Sequence, residues 1–385
     1  MPTSGIKNAL YRLALPVLSP AVVRKPVSCR EGHALSHEAH LVRIIRRNHI
    51  TGGSFLFQSG DQAACLFSVP FHQAQIPDFH TFYRVASITK MATALTAVIL
   101  MDKGLIDPEA PVSELVPDGR RLTQLKGIKI THLLSHTSGL SDPPDLERKL
   151  TDNVPLPDIL SGCNRFSPGA VFHYSNLGFG LLGAVFENIL HLSVEDVFRK
   201  YLFIPLGLDA TLDGSTLEPE SIMPLIRILP YRSGSELTVT ALGRQSMQGP
   251  DPLVHIGYTA GSMYITLLSL CSLLRCIRDG GAPLVSTRYS SFMTKERAAY
   301  GKISPSLSYG CGLLIIRDPH ISDSPVFGHQ GFAYGCVDGA FWEEDTGNIM
   351  ISLNGGCSEA RVGRLGCANR DLCRYAFREE LPLWK

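Results

Sequence analysis

The chain has 385 residues, 44% hydrophobic and 18% charged, with a formal net charge of +1. That is enough apolar material for a large core in one elaborated domain or two. The charge balance excludes the basic footprint of a nucleic-acid partner or an acidic membrane surface, and no apolar run is as long as a membrane span. The short cluster Arg43, Arg46 and Arg47 reads as the solvated face of a helix.

Ten cysteines (29, 65, 163, 271, 276, 311, 336, 357, 367 and 373) show no C-x-x-C pair and no zinc-finger spacing. Most sit among apolar neighbours, where a reduced thiol acts as a small hydrophobe. A reducing, cytoplasmic setting is the first expectation. Secretion or a periplasmic location comes second, because Lys7 followed by Ala9 to Leu18 resembles a signal peptide interrupted by Arg12 and Pro16.

In chain order, residues 1–33 carry Pro16, Pro20 and Pro26 and read as an N-terminal arm or leader. Ala34 to Arg47 suggests an amphipathic helix. It carries His33, His37 and His40, but the order falls one residue short of H-E-x-x-H, so packing or solvated histidines are expected and no metal site. Gly52 to Gln58 and Ala63 to Val69 are strand-like runs joined by Ser59-Gly60-Asp61, which is hairpin chemistry.

Next comes Ser87-Ile88-Thr89-Lys90, leading into the apolar run Met91 to Met101 and the stop signal Lys103-Gly104. On a helix, Ser87 and Lys90 share one face of the first turn. A lysine whose pKa is lowered by burial is one of the few groups able to take the serine's proton near neutral pH. The alternative is a helix cap followed by a solvated charge, and S-x-x-K also occurs at Ser4-Gly5-Ile6-Lys7. The apolar run that follows Ser87 sets it apart.

Ile130 to Leu134 reads as a short helix and Ser135 to Leu140 as a loop. Tyr174-Ser175-Asn176 then opens the apolar segment Leu177 to Leu190. Tyr174 suits a proton shuttle if a neighbouring ammonium such as Lys90 depresses its pKa, and the Asn176 amide offers both a donor and an acceptor. The plain alternative is a half-buried ring with Asn176 capping the next helix. Gly178 to Gly183 spells G-x-G-x-x-G, yet no buried strand or βαβ unit precedes it, so close helix packing is expected rather than a dinucleotide site.

A helix from Val194 to Tyr201 follows; residues 210–260 are broken by five prolines and read as irregular; Gly261 to Asp279 reads as a helix. Strands return over Tyr309 to Arg317, Pro325 to His329, Cys336 to Trp342 and Asn348 to Asn354, with Glu343 to Gly347 as a hairpin loop and a last helix at about Asn369 to Glu380. Within this series, Gly328-His329-Gln330-Gly331-Phe332 puts a histidine beside a glycine that permits close approach to a strand edge.

Ser87-x-x-Lys90, Tyr174-x-Asn176 and His329-x-Gly331, in that order, resemble the serine β-lactamase and penicillin-binding-protein superfamily. The likeness is to its class C-like branch, which includes esterases, D-amino-acid peptidases and acyltransferases. It extends over roughly residues 38–380, supported by Phe82 to Lys90, Ile130 to Leu140, Pro168-Gly169, Ala260 to Tyr264 and Gly328 to Gly335.

The resemblance implies an α+β fold: an antiparallel sheet built from both chain ends and flanked by helices, a mainly helical lobe, and an active site in the cleft between them. The catalytic domain would span 34–385, with a sheet lobe at about 34–86 and 262–385 and a helical lobe at about 87–261. Ser87 would be the nucleophile, and Lys90 and Tyr174 would share acid and base work. The backbone N–H groups of Ser87 and Phe332 would hold the oxyanion, Asn176 would orient a substrate, and His329 and Gly331 would line the pocket. No cofactor is required.

Relatives often carry lysine where His329 stands. A histidine, only partly charged near neutrality, favours an ester or a less acidic amide over a β-lactam or D-amino-acid peptide. The expected partner is therefore a small-molecule ester, amide or acyl substrate, cleaved by a serine hydrolase. The alternatives are an acyltransferase using the same residues and a non-catalytic binding protein; the intact Ser-Lys-Tyr set argues against the latter.

Overall fold

The structure is a computed structural model, and it describes residues 10, 13–14, 27–35, 37–69, 77–152, 154–228, 231–232, 247, 249–301, 304–333, 335–357 and 365–378. The Ser4 motif, most of the signal-like run, residues 379–380 of the last helix and part of the proline-broken stretch lie outside these residues.

Fourteen strands are described: β1 (Val27–Gly32), β2 (Gly53–Ser59), β3 (Gln62–Val69), β4 (Tyr83–Arg84), β5 (Ala210–Thr211), β6 (Arg227–Ile228), β7 (Tyr231–Arg232), β8 (Tyr264–Ile265), β9 (Ala298–Ala299), β10 (Leu307–Tyr309), β11 (Leu314–Ile316), β12 (Val326–Ala333), β13 (Cys336–Glu343) and β14 (Ile349–Asn354). Nine form one sheet in the order β1-β3-β2-β14-β13-β12-β11-β10-β9, with every pair antiparallel. The chain ends meet where β14 pairs with β2, Met350 opposite Phe57. Neither end supplies enough strands alone, so the sheet forms only when both come together.

Period-2 alternation decides which face each side chain serves. On β2, Phe55 and Phe57 join one core and Leu56 the other; on β3, Ala64 and Leu66 are separated in the same way from Cys65 and Phe67. The first face is covered by helices α1 (Glu38–Arg47) and α6 (Cys367–Phe377), which pack on each other. The second is covered by α5 (Leu267–Arg278) and the helical lobe, centred on α2 (Thr89–Asp102). From Thr89 to Met101 every residue of α2 is buried, as a helix apolar all round should be. The short helix α3 (Ile130–Leu134) and the long α4 (Asn176–Leu190) complete the wall nearest the site.

Several elements differ from the sequence reading. The sheet begins at Val27, inside the stretch read as an arm, because β1 gains its order from pairing with β3 rather than from a pattern of its own. Helix α1 starts at Glu38 rather than Ala34, and α5 at Leu267 rather than Gly261, since Tyr264–Ile265 is claimed by the small sheet β4-β8-β5. The expected strand Tyr309 to Arg317 is two strands, broken at Gly312, whose φ of 69° and closeness to the Lys90 carbonyl suit only glycine. Helix α4 is capped by Ser175, whose Oγ accepts from the Gly178 N–H at 3.0 Å, and not by Asn176.

The glycine-rich run lies inside α4. A Cβ on Gly180 would meet the Ile256 carbonyl oxygen at 2.1 Å and one on Gly183 would meet Thr259 Oγ1 at 2.9 Å, so these glycines permit close packing and form no phosphate loop. No single helix among the described residues is long and apolar enough to cross a membrane.

Candidate active site

Ser87 sits in a single 3-10 turn, Ala86–Ile88, that leads directly into α2. Ala86 takes φ 47°, a left-handed conformation that costs a non-glycine residue about 1–3 kcal/mol. Its surroundings hold it there. Thr89 Oγ1 donates to the Ala86 carbonyl at 2.6 Å and accepts from the Met263 N–H at 3.1 Å, while the Val85 N–H donates to the Met263 carbonyl at 3.0 Å. Strand β12 closes the other side, where a Cβ on Gly331 would lie 2.2 Å from the Val85 carbonyl oxygen. Gly331 thus admits the backbone that carries Ser87. Gly331→Ala is expected to shift this turn and lower turnover by on the order of 100-fold, since about 1 Å of misplacement costs that much; circular dichroism alongside kinetics checks it.

Lys90 is fully buried and lies one turn along from Ser87. Its Nζ donates to Ser87 Oγ at 3.1 Å, to Asn176 Oδ1 at 2.8 Å and to the Ala260 carbonyl at 2.6 Å. Burial lowers its pKa to about 7, with Asp142 opposing the shift. When the ammonium loses its proton, two N–H bonds can stay on Asn176 and Ala260 while the lone pair turns to Ser87 Oγ. Asn176 therefore works on the lysine directly, a role the sequence assigned to substrate.

The Tyr174 hydroxyl donates to Ser87 Oγ at 2.8 Å, and Lys90 Nζ lies 4.9 Å from the centre of its ring. The expected depression of the tyrosine's pKa is not found: burial raises it above the usual phenol value, and the bond to Ser87 only partly opposes that. The physical reason is that a lysine with a pKa near 7 carries too little charge to offset desolvation of a phenolate. Tyr174 is a neutral O–H donor here.

His329 is buried, 3% exposed. Its Nδ1 donates to the carbonyl of Gln330 at 2.6 Å, so its Nε2 accepts from the Tyr309 hydroxyl at 3.0 Å. Burial and the proximity of Lys90 lower its pKa to about 3. The imidazole is neutral near pH 7, not partly charged, and both ring nitrogens are committed.

The N–H of Phe332 points to the open edge of β12. Its cross-strand partner Val337 directs its own N–H and carbonyl to the Asn354 side chain on β14, at 3.1 and 2.6 Å, so the 332–337 pair exchanges no ladder bonds. On the other side β11 pairs only as far as Gly328. The Phe332 N–H therefore points away from β13, on the strand that packs against the Ser87 turn.

Two residues of the site escaped the sequence reading. His136 accepts the His173 N–H with its carbonyl at 2.7 Å and the Ser175 N–H with its Nδ1 at 3.1 Å. Asp142 accepts from Ser175 Oγ at 2.7 Å, the Asn176 N–H at 2.8 Å and the Leu177 N–H at 3.0 Å. His136 lies in the Ser135-to-Leu140 stretch, which periodicity marks only as a loop, and Asp142 lies just beyond it. Among the described residues no three His, Cys, Asp or Glu side chains converge on a metal position, and the His40 ring packs edge-on to Tyr375 at 6.0 Å.

The beta-lactamase family matches this chain over residues 69–350. The chain is 30% identical over 201 residues to penicillin-binding protein 4* of Bacillus subtilis (strain 168), covering 48% of this chain and 43% of that protein. It is 27% identical over 333 residues to esterase EstB of Burkholderia gladioli, covering 76% of this chain and 81% of EstB. The chain spans less than half the length of curated relatives such as penicillin-binding protein 4*. The solved structure of EstCE1, described as a hydrolase with promiscuous acyltransferase activity, superposes with a TM-score of 0.69 at 19% identity over 88% of this chain and 96% of that one, a likeness of fold. The family match runs from the end of the first hairpin to the last strand and takes in Ser87, Lys90, Tyr174, Asn176 and His329: the chain belongs to the beta-lactamase family.

Proposed function

We propose that the protein is a serine hydrolase that cleaves esters, or amides, of uncharged acyl groups through an acyl-enzyme on Ser87. The observation that carries this reading is a serine oxygen 3.1 Å from the nitrogen of a lysine whose pKa burial lowers to about 7, and 2.8 Å from a tyrosine hydroxyl.

Neutral Lys90 takes the Ser87 proton as Oγ attacks the carbonyl carbon. The oxyanion rests on the N–H groups of Ser87 and Phe332, each worth about 3 kcal/mol. Tyr174 gives its proton to the departing oxygen or nitrogen and regains one from the Lys90 ammonium. Water, losing its proton to the same relay, then attacks the acyl ester and releases the acid, restoring Ser87 Oγ–H.

The case for an uncharged substrate rests on His329 and its neighbours. A neutral imidazole, engaged by Tyr309 and by the Gln330 carbonyl, gives a carboxylate no cation to meet. The rings of Phe172 and Tyr300 stack at 4.3 Å beside Tyr309. The name of EstB, an esterase, agrees with this direction.

A matched pair of activated esters tests the reading: 4-nitrophenyl butanoate and the hemisuccinate of the same alcohol. We expect kcat/KM to favour the neutral ester by about tenfold or more, the scale of one unpaired, partly desolvated carboxylate. Equal or reversed preference contradicts the substrate class. An added alcohol that diverts most of the product into a new ester identifies an acyltransferase instead.

A further inference from the structure

We propose that His136 is the positioning residue of this site, fixing the hydroxyl of Tyr174 on Ser87 by holding the backbone on both sides of the tyrosine. The proposal rests on the acyl-enzyme reading for the role of that hydroxyl. Tyr174 is flanked by His173 and Ser175. The N–H of the first is bound by the His136 carbonyl at 2.7 Å and the N–H of the second by His136 Nδ1 at 3.1 Å. One residue thus brackets the tyrosine with two bonds, and its ring lies against the tyrosine ring, with centroids 4.2 Å apart and planes 33° apart. Phe179 at 4.9 Å and Tyr309 at 4.8 Å enclose the imidazole.

The residue type follows from three demands made at one position. Because Nδ1 accepts from Ser175, the ring proton sits on Nε2, and that atom is buried with no partner among the described residues. The fold bears an unsatisfied donor here, a cost that a plain apolar ring would avoid. What the cost secures is an acceptor at the δ position of a flat ring that also stacks on Tyr174. The backbone at His136 has φ 56°, a region in which histidine and asparagine are among the most enriched non-glycine residues. Phenylalanine would supply the stack without the acceptor. Asparagine would supply the acceptor and tolerate the backbone without the stack. Histidine meets all three. Its 1% exposure places it behind the tyrosine, out of substrate's reach, so it acts through Tyr174 and not on the reacting atoms.

The test compares His136→Asn, His136→Phe and His136→Ala, each alone and in a Tyr174→Phe background, by single-turnover acylation with an activated ester and by amide hydrogen exchange at Ser175. We expect His136→Ala and His136→Phe to slow acylation by on the order of 100-fold, with His136→Asn recovering most of the loss. In the Tyr174→Phe background the same substitutions should change the residual rate by less than about threefold, because the hydroxyl they position is gone. Equal losses in both backgrounds make His136 a general structural residue and overturn the proposal, as does a His136→Phe enzyme at the wild-type rate. If His136→Ala does not fold, the Asn and Phe variants carry the comparison. If wild type acquires no acyl group, the acyl-enzyme reading fails separately and the clamp is judged on exchange. Ser175 protection kept in His136→Asn and lost in His136→Phe supports it; equal protection overturns it.

Discussion

Lys90→Met is expected to lower kcat/KM by about 10³ to 10⁴-fold, the upper range for loss of a general base. The fold should persist. In the wild type, kcat/KM should rise with pH along a single limb centred near 7, as the buried lysine gives up its proton, and then level. A phenolate base would place the limb far higher, since burial raises the pKa of Tyr174, and a titrating His329 would place it near 3. The same group leaves a mark on stability. The folded-state pKa of about 7 lies below the ordinary lysine value of 10.5, so between these pH values the unfolded chain binds more protons. Stability contributed at this site is full above about 10.5 and is lost as pH falls toward 7, by up to about 5 kcal/mol at 1.36 kcal/mol per unit. Denaturant titrations should therefore show wild type gaining on Lys90→Met as pH rises from 7 to 10. A constant difference contradicts a lysine depressed by burial.

Ser87→Ala is expected to remove on the order of 10⁴-fold or more of kcat while changing KM little. In the proposed mechanism Ser87 Oγ takes part in bond making, whereas the Phe332 N–H still meets the substrate. Any residual rate reflects the oxyanion donors and binding alone. Steady-state kinetics on an activated ester checks both parameters, and a kcat within tenfold of wild type would remove Ser87 from the chemistry.

How far the sequence could be read depended on whether a feature is local. The hairpin of β2 and β3 is written in alternating residues and a Ser-Gly-Asp turn, and its observed strands lie within a residue or so of the expected ones. Ile130–Leu134 and the end of α2 beside Gly104 are equally local. The meeting of Ser87, Lys90 and Tyr174 was legible only through the order of three short motifs. Nothing in their spacing requires the hydroxyl of residue 174 to lie on residue 87.

Burial was the larger obstacle. A sequence places Tyr174 near an ammonium but does not show that desolvation outweighs it, nor that His329 is closed off by Tyr309, twenty residues earlier. Likewise β1 is ordered by a neighbour rather than by its own residues, and the His136 clamp depends on a positive φ and on a partner 39 residues away.

In the proposed mechanism Ser87 carries the acyl group. Intact mass spectrometry after brief exposure to a slowly deacylating activated ester, followed by peptide mapping, tests it most directly. One added acyl mass is expected on the wild type, located on the peptide containing Ser87, absent from Ser87→Ala and lost with time in water. An adduct that persists in Ser87→Ala, or that maps to another residue while substrate is consumed, would contradict it.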